Sequence, residues 1–452
     1  MSTEREQFGS RLGVILAIAG SAVGLGNIWR FPYIAGENGG ALFIICYVII
    51  LFCIGLPILM TELSIGRAAK KSVGYAFETL EPKGTKWHYF KYLIIAGGVL
   101  ICAYYPVITG NILYYLCGVV DGSLLDKGIS AHDQYQDLVV ENSYKTVCFS
   151  LIAILFCACC SWFGIKKGIE TVTKPLMFLL FIFLVVLCGY SLTLDGASKG
   201  LELFFVPNFE DMTLKSFLNM FHAALGQVFF TLGVGAGTIL AYASYMKKGQ
   251  SLFNESIIIA SLDTVAAILA GVIIFSICTS YSISVGAGPV LVFESMLTIF
   301  KEMPGGHLFG SVFFLLLFAA AITSFISMYE STNSFMIDSF NVSRKTAITI
   351  NTILVGVLIL PACFASSFLA DVKPFGMDII SFEDFIASNV LLVGGAFIFS
   401  LFCFTRYGWG MRRFIRSVNS GEGVKLSRFT IGYIKYAIPM FIFIVFVLGL
   451  IV

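Results

Sequence analysis

The sequence predicts an all-α polytopic membrane protein, one transmembrane domain of eleven spans built as a five-plus-five inverted repeat. Three observations carry that prediction. Of 452 residues, 58% are hydrophobic and only 12% are charged, about half the charge of an ordinary soluble domain. Apolar runs of membrane-spanning length recur along the whole chain. Two of those runs are interrupted by glycine-rich stretches at matching places in the two halves, the pattern of an inverted-repeat transporter.

A helix needs about 20 apolar residues to cross the hydrocarbon. Such runs are read at 12–35, 41–65, 91–119, 145–163, 170–194, 216–246, 253–285, 308–340, 346–366, 384–409 and 431–452. The first repeat covers about 12–194, the second about 216–409, and 431–452 is an extra span. The polar residues ahead of span one precede a run too long for a signal-peptide core, so no cleavable leader is expected. Asn38-Gly39-Gly40 reads as a turn, and Pro32, Pro57, Pro106, Pro175 and Pro361 as helix starts or kinks. Basic residues set the direction. With a cytoplasmic N-terminus, the inner segments hold Arg67, Lys70, Lys71, Lys83, Lys86, Lys166, Lys167, Lys247, Lys248, Arg412, Arg413, Arg416 and Lys425 among others; the outer ones keep Lys127, Lys145, Lys199, Lys215, Lys301 and Lys373. An odd span count then leaves the C-terminus outside.

The net charge of +2 says nothing about nucleic acid or an acidic partner, and no nucleic-acid partner is expected. The twelve cysteines sit in or beside apolar runs, so no disulfide framework is expected. Cys157, Cys159 and Cys160 in "CACC" read as buried packing residues rather than metal ligands. No HExxH, GxGD or facing Ser/His pair supports an intramembrane enzyme, and the lone His222 reads as a packed or interfacial residue.

Span one breaks at "GSAVGLGN", residues 20–27, and span six at "FTLGVGAG", residues 230–237. A continuous helix spends every amide on itself. An unwound turn frees carbonyls for a cation and N–H groups for an anion, and the half-helix ends add partial charges of matching sign. A single glycine-rich span would favour close helix packing. Two, in register with an inverted repeat and flanked by polar residues, favour a binding site.

The stretch "REQFGSRLGVILAIAGSAVGLGNIWRFPYIAGENGGALF", with "GLPILMTELSIGR", "FFTLGVGAGTILAYASY" and "AAAITSFISMYE", resembles spans one, two, six and eight of the neurotransmitter:sodium symporter family. The likeness covers nearly the whole chain and is nearest to the bacterial amino-acid branch, which includes the leucine transporter and eleven-span forms preferring aromatic and hydrophobic substrates. It implies the leucine-transporter-like fold, sodium coupling, alternating access and residence in a bacterial inner membrane. A homodimer is left open.

By that resemblance, sodium site one uses Ala22, Asn27, Thr231 and Asp263, completed by the substrate carboxylate; sodium site two uses Gly20, Val23, Ala320, Thr323 and Ser324. Direct contact between ion and carboxylate would let each raise the other's affinity. The leucine transporter has asparagine at the place of Asp263 and a glutamate one turn later, where this chain has Ala267. A carboxylate in a membrane helix needs a cation or a proton. Asp263 is therefore expected to be both sodium ligand and fixed negative charge, with no chloride requirement. The alternative is an ion-paired structural aspartate.

Gly24 stands where amine transporters of the family carry aspartate, so the substrate must bring its own carboxylate. The resemblance assigns that carboxylate to the amides of Leu25 and Gly26 and the Tyr105 hydroxyl, and the ammonium to carbonyls of Ala22, Phe230 and Thr231. The side chain would meet Ile101, Tyr105, Phe230, Gly233, Ala236, Ser324 and Met328. The leucine transporter is bulkier at the places of Gly233 and Ala236, so tyrosine or tryptophan is expected ahead of leucine. For the gates, Arg30 is expected to pair with Asp384 under a Phe230 lid, joined by Gln227. On the inner side Arg5 is expected to pair with Asp338 near Phe8 and Tyr245. Glu37 and Glu62 read as buried hydrogen-bond anchors. A sodium-dependent amino-acid sensor of the same fold, without net transport, is the competing function.

Overall fold

A computed structural model describes residues 5–209, 212–247, 249–283, 285 and 291–451. Lys248, residues 286–290 of the expected outer loop and Val452 lie outside the described residues. The described chain is helical throughout, with no strand. Nine of its helices are long and apolar enough to cross a membrane, and the pair Arg11–Ala22 and Gly26–Glu37, bent by 49°, makes a tenth. The segment expected as span six is divided into Leu214–Leu232 and Thr238–Ala243. It is not among those ten, because the division leaves neither piece apolar and long enough alone.

The layering follows from how each span divides its surface. In spans three (Trp87–Val120) and eight (Gly306–Phe340) 72% of the most apolar window is inside the molecule, against 22% in span eleven (Arg428–Val447). Spans three and eight are thus central, and span eleven lies at the edge against span ten. Span one is cradled by spans five, seven and eight, and the second piece of span six lies against span two. Small residues permit those approaches. A Cβ on Gly66 of span two would stand 2.2 Å from the Leu240 carbonyl oxygen of span six. Outward-facing Ile45, Ile49, Leu155, Ile182 and Val185 give the apolar girdle a bilayer requires.

Some boundaries shift from their expected places. Span ten runs Ile379–Phe404 rather than 384–409, because Asp378 caps its start by accepting from the Ser381 amide at 3.0 Å. Asp384 consequently sits inside the helix, one turn in. Pro32, Pro57 and Pro361 open helical segments, and Pro106 and Pro175 lie within them. Glu62 is fully buried and accepts from the amides of Gly235 (2.5 Å) and Leu240 (3.3 Å), so it anchors the unwound part of span six. Glu37 differs from expectation. It is exposed at the end of the helix Phe31–Glu37 and anchors nothing among the described residues.

Candidate substrate and ion site

Val23 still returns its N–H to the Ala19 carbonyl at 2.6 Å, and span one ends because the following amide turns elsewhere. The Gly24 N–H points to Asn27 Oδ1 at 3.1 Å instead of back to Gly20. The chain resumes at Gly26 as a π-helical turn through Arg30. Gly20 to Ala22 stay helical, so the opening is narrower than residues 20–27. Span six stops at Gly233, which takes φ +60° and returns its N–H to the Phe230 carbonyl. Gly235 at +99° and Gly237 at +72° keep the chain out of helix until Thr238. Only glycine adopts such angles freely.

Two oxygen clusters form where span one opens. Asn27 Nδ2 donates to Asp263 Oδ1 at 2.9 Å and to the Asp263 carbonyl at 3.0 Å. Thr231 Oγ1 lies 3.1 Å from Asn27 Oδ1 and 3.0 Å from Asp263 Oδ1. Its single proton serves only one of them at a time. Three oxygens of the expected sodium-one set therefore converge, around a carboxylate whose neighbours are neutral. That arrangement fits a hard cation. Part of the second set meets: Ser324 Oγ donates to the Gly20 carbonyl at 3.1 Å, while Thr323 Oγ1 donates to the Ala320 carbonyl at 3.1 Å within its own helix. Val23 and Ala320 are buried.

Next to these clusters is a small cavity of about 30 Å3. Ala22, Leu25, Gly26, Ile101, Tyr105, Phe230, Thr231, Gly233, Ala236, Ser324 and Met328 all line it. Sequence reasoning missed Ser21, Tyr104, Thr238, Ser388 and Leu392, which line it too. It also missed Tyr47, whose hydroxyl donates to Asp263 Oδ2 at 2.9 Å. A lone hydroxyl in the run "IICYVII" was the available signal.

Above Phe230 lies a second cavity of about 200 Å3, with Arg30 and Asp384 on its wall. These two are not within ion-pair distance in this structure, and a gate pair forms in one state and breaks in the other. Each has another partner. The Arg30 guanidinium lies over the Phe230 ring, 4.4 Å from its centroid. Asp384 Oδ1 accepts from Tyr104 (2.7 Å) and Ser388 (3.0 Å). Gln227 donates to the Gly26 carbonyl at 2.7 Å and so ties span six to span one.

The opposite end is closed. Arg5 Nη1 reaches both Asp338 oxygens, at 3.0 and 2.8 Å, and Arg5 Nε donates to Ser244 at 2.9 Å. The Arg5 guanidinium lies 4.6 Å from the Tyr245 ring centroid. Phe8 is buried edge-on to Tyr242 and Tyr245. Asp338 also takes the Ser72 amide at 2.7 Å and Lys71 at 3.3 Å. Tyr245 donates to Glu330 (2.8 Å), which Arg344 holds at 2.6 Å. Losing one partner of a partly buried charged hydrogen bond costs about 1–3 kcal/mol. Arg5→Ala is thus expected to raise amide hydrogen exchange in residues 5–10 by about tenfold or more. Unchanged protection there would show that the pair does not hold this end shut.

A helical bundle with two mid-span breaks around an oxygen-lined cavity defines a secondary transporter. The chain belongs to the Sodium:neurotransmitter symporter family, which it matches over residues 5–127 and 134–452. It is similar to an uncharacterised sodium-dependent transporter of Haemophilus influenzae, 31% identical over 99% of this chain and 98% of that protein. Another relative is the uncharacterised sodium-dependent transporter YhdH of Bacillus subtilis, 33% identical over 88% of this chain and 87% of its own length. Among solved structures, the crystal structure of MhsT in complex with L-phenylalanine superposes with a TM-score of 0.89 at 36% identity, covering 98% of this chain and all of the other. The protein is accordingly a multi-pass membrane transporter that uses sodium to move a small substrate, and not an enzyme.

Proposed function

We propose that the protein imports aromatic and large hydrophobic L-amino acids by sodium symport, with two sodium ions and no need for chloride. The observation that supports this reading is the cavity lined by Leu25, Gly26 and Thr231, whose Thr231 hydroxyl lies 3.0 Å from Asp263 Oδ1 and 3.1 Å from Asn27 Oδ1. A zwitterion there would set its carboxylate against sodium and those amides, and its ring toward Gly233 and Ala236. The Tyr105 hydroxyl supports the same pose, since it is buried in that cavity without a hydrogen-bond partner among the described residues. The L-phenylalanine held by MhsT in its crystal structure supports the aromatic preference. Asp263 supplies the negative charge that chloride would otherwise bring. The closed Arg5 end and the parted Arg30 and Asp384 support alternating access. The basic residues near Arg67 and Arg413 support a cytoplasmic N-terminus and an outer C-terminus, here in a bacterial inner membrane.

Uptake into proteoliposomes under an inward sodium gradient, with the twenty amino acids as competitors, tests the reading. Accumulation should follow the gradient and be best blocked by aromatic residues. Equal uptake in chloride and gluconate buffers is expected, and strong chloride dependence would defeat the role given to Asp263. Tight sodium-dependent binding without accumulation would mark a sensor instead.

The pocket assignment has its own test. A Cβ at Gly233 meets nothing within 4 Å, so a serine there would protrude into the cavity at a backbone cost of about 1–2 kcal/mol. Gly233→Ser with Ala236→Phe should shift the leucine-to-tyrosine affinity ratio toward leucine by about tenfold or more. An unmoved ratio in competition binding would remove these two residues from the substrate's surroundings.

A further inference from the structure

Two buried hydroxyls lining the central cavity have no hydrogen-bond partner among the described residues, those of Tyr105 and Thr238. Tyr105 faces the amino-acid end of the substrate in the pose above. Thr238 has no place in that pose. Its side chain is 1% exposed, and burying a hydroxyl unpaired is unfavourable.

Other threonines in this bundle show why Thr238 is unusual. Thr61, Thr109, Thr173, Thr264 and Thr323 each return their proton to a carbonyl three or four residues earlier, at 2.7–2.9 Å. Thr238 opens its helical piece. The residues three and four positions before it, Gly235 and Val234, belong to the unwound stretch and present no such carbonyl. The break that frees backbone for the substrate thus also leaves this hydroxyl free, two residues beyond Ala236.

We infer that Thr238 is a specificity residue, whose hydroxyl hydrogen-bonds a polar group at the far edge of the substrate's ring. This rests on the aromatic reading of the cavity and narrows it. Substrates with a ring hydroxyl or ring N–H, such as tyrosine and tryptophan, are favoured over phenylalanine. Phenylalanine leaves Thr238 unpaired, and a pocket that desolvates a polar group without pairing it discriminates against the analogue that lacks the match.

Competition binding to the purified full chain in saturating sodium tests this with phenylalanine, tyrosine, tryptophan and 4-methylphenylalanine. The last has the shape of tyrosine without its hydrogen bond. On the unaltered protein, tyrosine should outcompete 4-methylphenylalanine by roughly tenfold or more. Thr238→Val should collapse the tyrosine-to-4-methylphenylalanine ratio toward one, and Thr238→Ser should keep it. A preference for tryptophan that survives Thr238→Val while the tyrosine preference collapses would assign the contact to the hydroxyl alone and uphold the inference. Equal binding of tyrosine and 4-methylphenylalanine, or a ratio indifferent to Thr238→Val, overturns it while the aromatic reading stands. If no aromatic amino acid competes, the aromatic reading itself falls, and this inference with it.

Discussion

Asp263→Ala is expected to abolish sodium-driven uptake, with a loss greater than a hundredfold. The carboxylate is 0% exposed, and its hydrogen-bond partners Asn27, Thr231 and Tyr47 are all neutral. None of the ion pairs formed among the described residues involves it. Burying a charge without a counter-charge costs several kcal/mol even after relaxation. In the function proposed above, a cation completes the site and offsets that cost. Asp263→Asn separates charge from shape. It keeps one oxygen for Asn27 and Thr231 and turns its NH2 to the Tyr47 hydroxyl, which can accept, but it removes the charge a cation would balance. In sodium-free detergent this variant is expected to melt at or above the temperature of the parent. It should lose most of the rise in melting temperature that sodium gives the parent, since a ligand stabilises only in proportion to its affinity for the folded state. A sodium-dependent rise equal to the parent's would remove Asp263 from the ion site.

Gly235→Ala is the second large effect. A Cβ there would stand 1.9 Å from the Leu392 carbonyl oxygen and 2.6 Å from its carbon, at φ +99°. Backbone cannot yield as a side-chain tip can, so the unwound turn itself must move. The turn also carries the Gly235 amide that Glu62 holds at 2.5 Å. Overpacking commonly costs about 1–3 kcal/mol, and the backbone angle and lost hydrogen bond add to it. Substrate affinity should fall by about a hundredfold or more, with a lower melting temperature. Gly226→Ala is the matched control, because a Cβ there meets nothing within 4 Å and its helix gains from alanine. If both variants bind alike, the rigidity ascribed to the turn is wrong.

The parts of this site legible in sequence are those written in local chemistry. Glycines clustered in an apolar run announce both openings: in span six Gly233, Gly235 and Gly237 take φ above zero, and in span one a Cβ on Gly24 would stand 2.5 Å from Ser324 Oγ. Asp263 stands out as an acid in hydrocarbon. The family motif then brings distant residues to one cavity, and the cavity's lining includes every substrate residue so named. What stays hidden depends on contacts between segments far apart in the chain. Tyr47 meets Asp263 across 216 positions, and its lone hydroxyl in an apolar run does not say which residue it meets. Arg30 and Asp384 look like partners as a cation and an anion at one end of the bundle. Their preference for Phe230 and Tyr104 depends on the placement of spans three and six. Thr238 escapes notice because a threonine in a membrane helix ordinarily satisfies itself.

The segment carrying Arg5 and Phe8 is not helical, and it reaches Ser244, Tyr245 and Asp338 as an irregular strand of chain. That end of the molecule is therefore shut by a cord, not by a panel. A panel on a hinge must release all its contacts together. A cord peels knot by knot, so the work of opening divides into small instalments that thermal motion can meet one after another.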